Sequence, residues 1–138
     1  MAKADAAGYS GTPLRKKLGV LPGQTTWRLA MPDAVADEID GDAPPLLVAA
    51  PVAGLDSAHV FATEAAVLAE ALTNLRPLLA AKGMVWVSWP KKAAKVPTDI
   101  TEDVIRAIAL PMGFVDVKVC AVDAVWSGLK LVIRVSER

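Results

Sequence analysis

The chain has 138 residues, a mass of 14.5 kDa, 54% hydrophobic residues, and fifteen basic against fifteen acidic side chains. That length suits one domain, residues 1–138, able to bury its own core without disulfides or metals. Zero net charge removes any global attraction to nucleic acid or an anionic membrane, and the lone Cys120 excludes an internal disulfide.

Residues 1–23 read as an N-terminal loop and a short basic helix: Thr12 stands at the N-cap, Pro13 at the first helical position and Gly19 just past the end. Thr25 to Met31 reads as the first strand, followed by an acidic helical stretch from Asp33 to Ile39. The apolar run Leu46 to Ala50 predicts a buried parallel strand, and Ala58 to Ala62 another. Thr63-Glu64 is expected to cap a long helix carrying Val67, Leu68, Ala71, Leu72, Leu75, Leu78 and Leu79 on one face, bent at Pro77 and ended by Gly83. Met84 to Trp89 follows as a strand. Asp99, answered by Glu102, predicts a capping box for an amphipathic helix over Ile100 to Leu110. Two alternating strands close the order, Val115 to Ala121 and Leu129 to Val135. The connection between them is too short for a parallel crossover, so the last strand must turn back antiparallel.

This order predicts an α/β, three-layer Rossmann-like domain whose mostly parallel sheet has about six strands and an antiparallel C-terminal strand. It resembles a minimal, degenerate class I methyltransferase. Ligands of open α/β sheets sit beyond the carboxyl ends of the parallel strands, where loops converge and helix N-termini point outward. Tyr9, Ser10, Thr12, Ser88, Trp89, Lys91, Lys92, Trp126 and Ser127 are therefore the expected ligand or partner surface, with Lys91, Lys92 and Lys95 suiting a phosphate or carboxylate.

No cofactor is expected. The first strand runs into Pro32-Asp33 where a nucleotide-binding turn carries glycines, and Ala49-Ala50-Pro51 stands where an acidic residue would hold ribose hydroxyls. Gly8-Tyr9-Ser10-Gly11-Thr12-Pro13 follows no strand and lacks the lysine-hydroxyl ending of a phosphate loop. One histidine, His59, and one cysteine make no zinc site of familiar spacing; His59 reads as structural and Cys120 as an inert core thiol. Charge is segregated: from Leu29 to Leu75 there are eight acidic residues and no Lys or Arg, whereas residues 76–138 carry ten basic and six acidic side chains. An oriented partner or a head-to-tail contact would exploit that dipole.

The segments Gly8 to Leu14, Lys16 to Gly19, Trp86-Val87-Ser88-Trp89-Pro90-Lys91-Lys92, Thr98-Asp99, Thr101 to Asp103, Gly113 to Asp123 and Trp126 to Lys130 resemble a family of short bacterial proteins catalogued as domain of unknown function 3052. The resemblance implies one bacterial cytoplasmic domain and carries no activity, cofactor or catalytic residue. A non-catalytic binding or regulatory protein is the first expectation, with an unknown protein partner or a small anion at the carboxyl edge. An enzyme or binding protein for a phosphorylated or carboxylated metabolite is the alternative. Nucleic-acid binding through Arg15, Lys16, Lys17, Lys91 and Lys92, with Trp89 or Trp126 stacking, ranks last. No run of the chain is long and apolar enough to span a membrane: Leu46 to Leu55, the longest, is broken by Pro51 and Gly54.

Overall fold

The computed structural model describes residues 13–138. Helix α1 (Leu14–Leu18) begins just after Pro13, which sits at the N-cap rather than inside the helix, and ends at Gly19 in the left-handed conformation, φ 71°. Strand β1 (Thr25–Leu29), helix α2 (Asp33–Asp40), strand β2 (Leu46–Leu47) and strand β3 (Leu55–Phe61) follow. Helix α3 (Ala65–Leu75), strand β4 (Leu79–Pro90), helix α4 (Glu102–Ala109), strand β5 (Phe114–Ala121) and strand β6 (Trp126–Ile133) complete the domain.

The six strands form one sheet in the order β2-β1-β3-β4-β6-β5. The first four strands are mutually parallel, and β6 inserts antiparallel between β4 and β5, as the short connection requires. Alternation along the central strands sends side chains to two separate cores. Ala58, Val60, Val85, Val87, Leu129 and Leu131 meet Leu68, Leu72 and Leu75 of α3 and Ile105 of α4. Phe61, Met84 and Trp86 meet Leu14 and Leu18 of α1 and Val35 and Ile39 of α2. The helices therefore form a layer on each sheet face.

Four local expectations are corrected. The helix from Ala65 does not continue to Leu79: the Arg76 N–H makes the last bond, to Leu72, and Pro77 has no N–H with which to extend the ladder. Gly83 accordingly lies inside β4, where a Cβ would stand 2.8 Å from Leu79 Cγ. The expected buried strand at Leu46 to Ala50 shrinks to Leu46–Leu47 at the sheet edge, with both side chains exposed. In β5, Val117 and Val119 are exposed instead of core-facing, because the strand is the other edge and slips register between Asp116 and Lys118. The caps are also exchanged. Thr101 Oγ1 accepts the Val104 N–H at the start of α4, whereas Asp99 Oδ1 reaches across to accept the Ala65 N–H of α3 at 2.7 Å.

Both edges carry features that discourage strand addition. β2 has two residues with Pro44-Pro45 before it, and β5 has a register slip and the exposed Lys118. Inside the sheet, Trp86 Nε1 donates to the Leu18 carbonyl at 2.8 Å and so ties α1 to β4. Trp86→Phe should cost about 1–3 kcal/mol, because it strands that buried carbonyl; urea unfolding followed at two wavelengths checks the value.

Candidate functional site

The carboxyl edge is built by three stitched loops. Thr63, after β3, accepts from Thr98 Oγ1 at 2.7 Å and from the Asp99 N–H at 3.3 Å, which draws the β4–α4 loop over the end of β3. On the other side, the Lys91 N–H donates to the Val125 carbonyl at 2.7 Å. Asp123 Oδ1 accepts from the Val125 and Trp126 N–H groups at 2.9 and 2.8 Å, holding the β5–β6 turn in shape. The chain from Lys92 to Ala94 makes a single 3-10 turn, and Lys95 takes φ 57° at its end.

A pocket of about 410 Å³ opens at this edge, lined by Trp89, Pro90, Lys92, Thr98, Ile100, Thr101 and Glu102. Trp89 and Ile100 are buried and give it an apolar floor. Thr98 already donates to Thr63 and accepts from the Ile100 N–H. Thr101 Oγ1 accepts the Val104 N–H and still holds its own proton to donate. Glu102 pairs with Arg106 at 3.0 Å, and Arg106 also holds Asp116 at 2.9 Å, locking α4 to β5. The hydrogen bonds that Arg106 donates to Asp116 and Glu102 raise its pKa, and the same contact lowers that of Asp116.

Of the residues expected at this surface, Trp89 and Lys92 line the pocket. Trp126 lies beside Lys91 through the backbone, but its ring packs edge-on against Phe61 at 5.0 Å, on the α1–α2 side of the sheet. Trp89 belongs to the α3–α4 side, so the two indoles cannot sandwich one flat ligand. Ser127 pairs with Trp89 across the β4–β6 ladder. Ser88 is a correction: it is fully buried, and its Oγ shares a 2.7 Å hydrogen bond with His59 Nε2. Tyr9, Ser10 and Thr12 lie outside the described residues.

The His59–Ser88 pair was missed by reading along the chain, because the two are 29 positions apart. The available signal was that His59 interrupts the apolar run Ala58 to Ala62 and Ser88 the run Met84 to Trp89. His59 also stacks on Phe61 at 4.5 Å. Burial and then the nearby Arg28 charge lower its pKa to about 3, so it is neutral at physiological pH. With both partners sealed from solvent, the pair is a core polar contact and offers no hydroxyl to a substrate. The Cys120 thiol is half-buried, and that burial raises its pKa against the opposing effect of Lys17 and Lys118. Among the described residues no cluster of His, Cys, Asp and Glu has the makings of a metal site, and no helix is long and apolar enough to cross a membrane.

The sheet order and the reversed β6 place the chain among known folds. The fold is that of methyltransferase-like Rossmann domains. The ribosomal protein L11 methylase of Lactobacillus delbrueckii subsp. bulgaricus superposes with a TM-score of 0.54 at 12% identity, over 88% of this chain and 75% of that one. The fibrillarin pre-rRNA processing protein of Methanococcus jannaschii gives 0.54 at 12% identity, over 89% and 76%. The LepI complex with SAM gives 0.56 at 13% identity over 95% of this chain, which spans only 41% of LepI. No family model and no curated protein matches the sequence.

The buried histidine generates a pH dependence with a definite sign. Its folded pKa lies below the unfolded value of 6.5, so the unfolded chain binds the extra proton and stability falls as pH drops from about 6.5 toward 3. This group contributes a slope approaching about 1.4 kcal/mol per pH unit. In urea titrations at pH 7.5, 6 and 5, His59→Gln should lose less stability than the parent on acidification, and the gap between the two should be constant above pH 7.5.

Proposed function

We propose that this chain is a non-catalytic binding protein on a methyltransferase-like scaffold, engaging a protein partner or small anionic ligand through the carboxyl edge around Trp89 and Lys92. The turn after β1 carries this reading. Ala30 adopts φ 58°, the left-handed region that glycine fills in a cofactor turn, and Pro32 occupies the N-cap of α2. Met31 packs against the α1–α2 core. An adenosine-binding turn presents bare backbone and free N–H groups to its ligand; here a Cβ stands at the turn and a residue without an N–H at the helix entry. β2 also ends without a carboxylate for ribose hydroxyls.

A second reading, an enzyme or binding protein for a carboxylated metabolite, is favoured by the pocket itself. Lys92 has no ion-pair partner among the described residues and stands at the rim of an apolar floor. With Glu102 on the same wall, one ammonium suits a monocarboxylate on an apolar body better than a multiply charged phosphate. We further propose that the chain belongs to the short bacterial, cytoplasmic family catalogued as domain of unknown function 3052, which its Trp86 to Lys92 and Val115 to Asp123 segments resemble. That assignment adds no activity to either reading.

Calorimetry with S-adenosylmethionine should register no binding, and a micromolar dissociation constant would overturn the first reading. A thermal-shift screen against sugar phosphates and small apolar carboxylates tests the second. Ligand at a hundredfold excess over its dissociation constant stabilises the native state by about 2.7 kcal/mol. A carboxylate shift that disappears in Lys92→Ala establishes the pocket, and no shift across the panel removes the metabolite reading.

A further inference from the structure

We propose that the groove beside α3 receives an amphipathic helix of another protein, with basic side chains flanking its apolar stripe. The groove, about 270 Å³, is lined by Trp27 and Leu29 of β1 and by Val67, Glu70, Ala71 and Asn74 of α3. The four α3 residues fall at i, i+3, i+4 and i+7, which makes one continuous stripe along the helix. That stripe flanks the buried Leu68, Leu72 and Leu75: Ala71 is buried with them, whereas Val67, Glu70 and Asn74 are exposed.

Among the described residues no helix covers this flank of the sheet. Parallel strands in one sheet are ordinarily joined by a crossover of a dozen or more residues, usually helical. β2 ends at Leu47 and β3 begins at Leu55, so only residues 48–54 make this crossover, and none of them is helical. β1 pairs Thr25 with Leu46, so Leu46 and Val48 share the face of Trp27 and Leu29. Val48 packs against that core, Val67 is exposed on the groove wall, and Leu46 and Val52 of the edge strand and the crossover are exposed as well. The described helices are already committed: α1 and α2 pack on the opposite face, and α3 and α4 cover the centre of this one.

Charge selects the occupant. The groove contains one ionic side chain, Glu70, and the sequence from Leu29 to Leu75 that builds most of its walls has no Lys or Arg. Asp56 adds a carboxylate at the amino end of β1, where its Oδ2 accepts the Thr25 N–H. A two-fold pairing of α3 with α3 of a second copy would oppose Glu70 to Glu70, which like-charge repulsion disfavours. A partner helix with lysine or arginine beside its apolar stripe satisfies both the shape and the charge.

Two labelled synthetic peptides, each about four helical turns with the same leucine stripe, test this by fluorescence polarisation. One carries lysines beside the stripe and the other glutamates. The lysine peptide should bind saturably and about tenfold or more tighter than the glutamate peptide, and Glu70→Lys should reverse that preference. Val67→Asp should weaken both. Val67 and Glu70 are exposed, so unchanged melting temperatures confirm that the variants fold. Absence of saturable binding by either peptide overturns the proposal, as does a preference untouched by Glu70→Lys. Concentration-dependent self-association lost in Val67→Asp assigns the groove to a second copy and overturns the helix partner.

Discussion

Trp86 is the residue on which the two-sided sheet depends. It sits in β4, the strand flanked by β3 on one side and the reversed β6 on the other, and it is essentially inaccessible to solvent. Its indole N–H ends on the Leu18 carbonyl at the close of α1, a helix of five residues that is too short to persist alone. The ring also packs closely over Gly128 on β6, where a Cβ would stand 3.2 Å from Trp86 Cε3. A single side chain therefore couples a marginal helix, the central parallel strand and the antiparallel insertion. The neighbouring His59, 6.5 Å from the Trp86 ring, spends its polarity on Ser88 and keeps this part of the sheet free of buried charge.

With that core in place, the departures from a nucleotide-binding α/β domain lie at the sheet's periphery. The β1–α2 turn has Ala30 in the left-handed region and Pro32 at the helix N-cap, and the β2–β3 crossover, residues 48–54, has no helix. The first leaves the α2 N-cap without an N–H, since Pro32 has none. The second uncovers Trp27, Leu29 and Val67. The carboxyl edge is meanwhile stiffened at β3, β4 and β6 by the Thr63, Asp99 and Asp123 hydrogen bonds. These bonds hold in place the loops beside Trp89 and Lys92.

Much of this was legible in the chain. The alternation of residues 129–135 and the short connection before them required a reversed strand, because two adjacent strands joined by a tight turn have no room for a crossover. The acidic stretch after Pro32 is α2, as its spacing implied. Other signals were ambiguous for identifiable reasons. Leu78 and Leu79 continue the helical periodicity of α3, yet Pro77 ends it and the same leucines begin the return to β4. Leu46 to Ala50 has the composition of a buried strand, but apolarity alone does not say whether a strand is central or at an edge. Asp99 has the form of a cap for the helix next to it and instead caps the one before, a choice made through space.

The sequence alone determined the fold class, the reversed last strand and the absence of a glycine loop, because each follows from local periodicity, turn length or residue type within a few positions. Tertiary structure decided what depends on register between distant segments. It set the opposite faces of Trp89 and Trp126, the burial of Ser88 against His59, and the uncovered groove along α3. In a sheet the side-chain period is two, so a strand's sequence fixes which residues share a face; only the pairing of strands fixes which face each set shares with its neighbours, and what, if anything, lies over it.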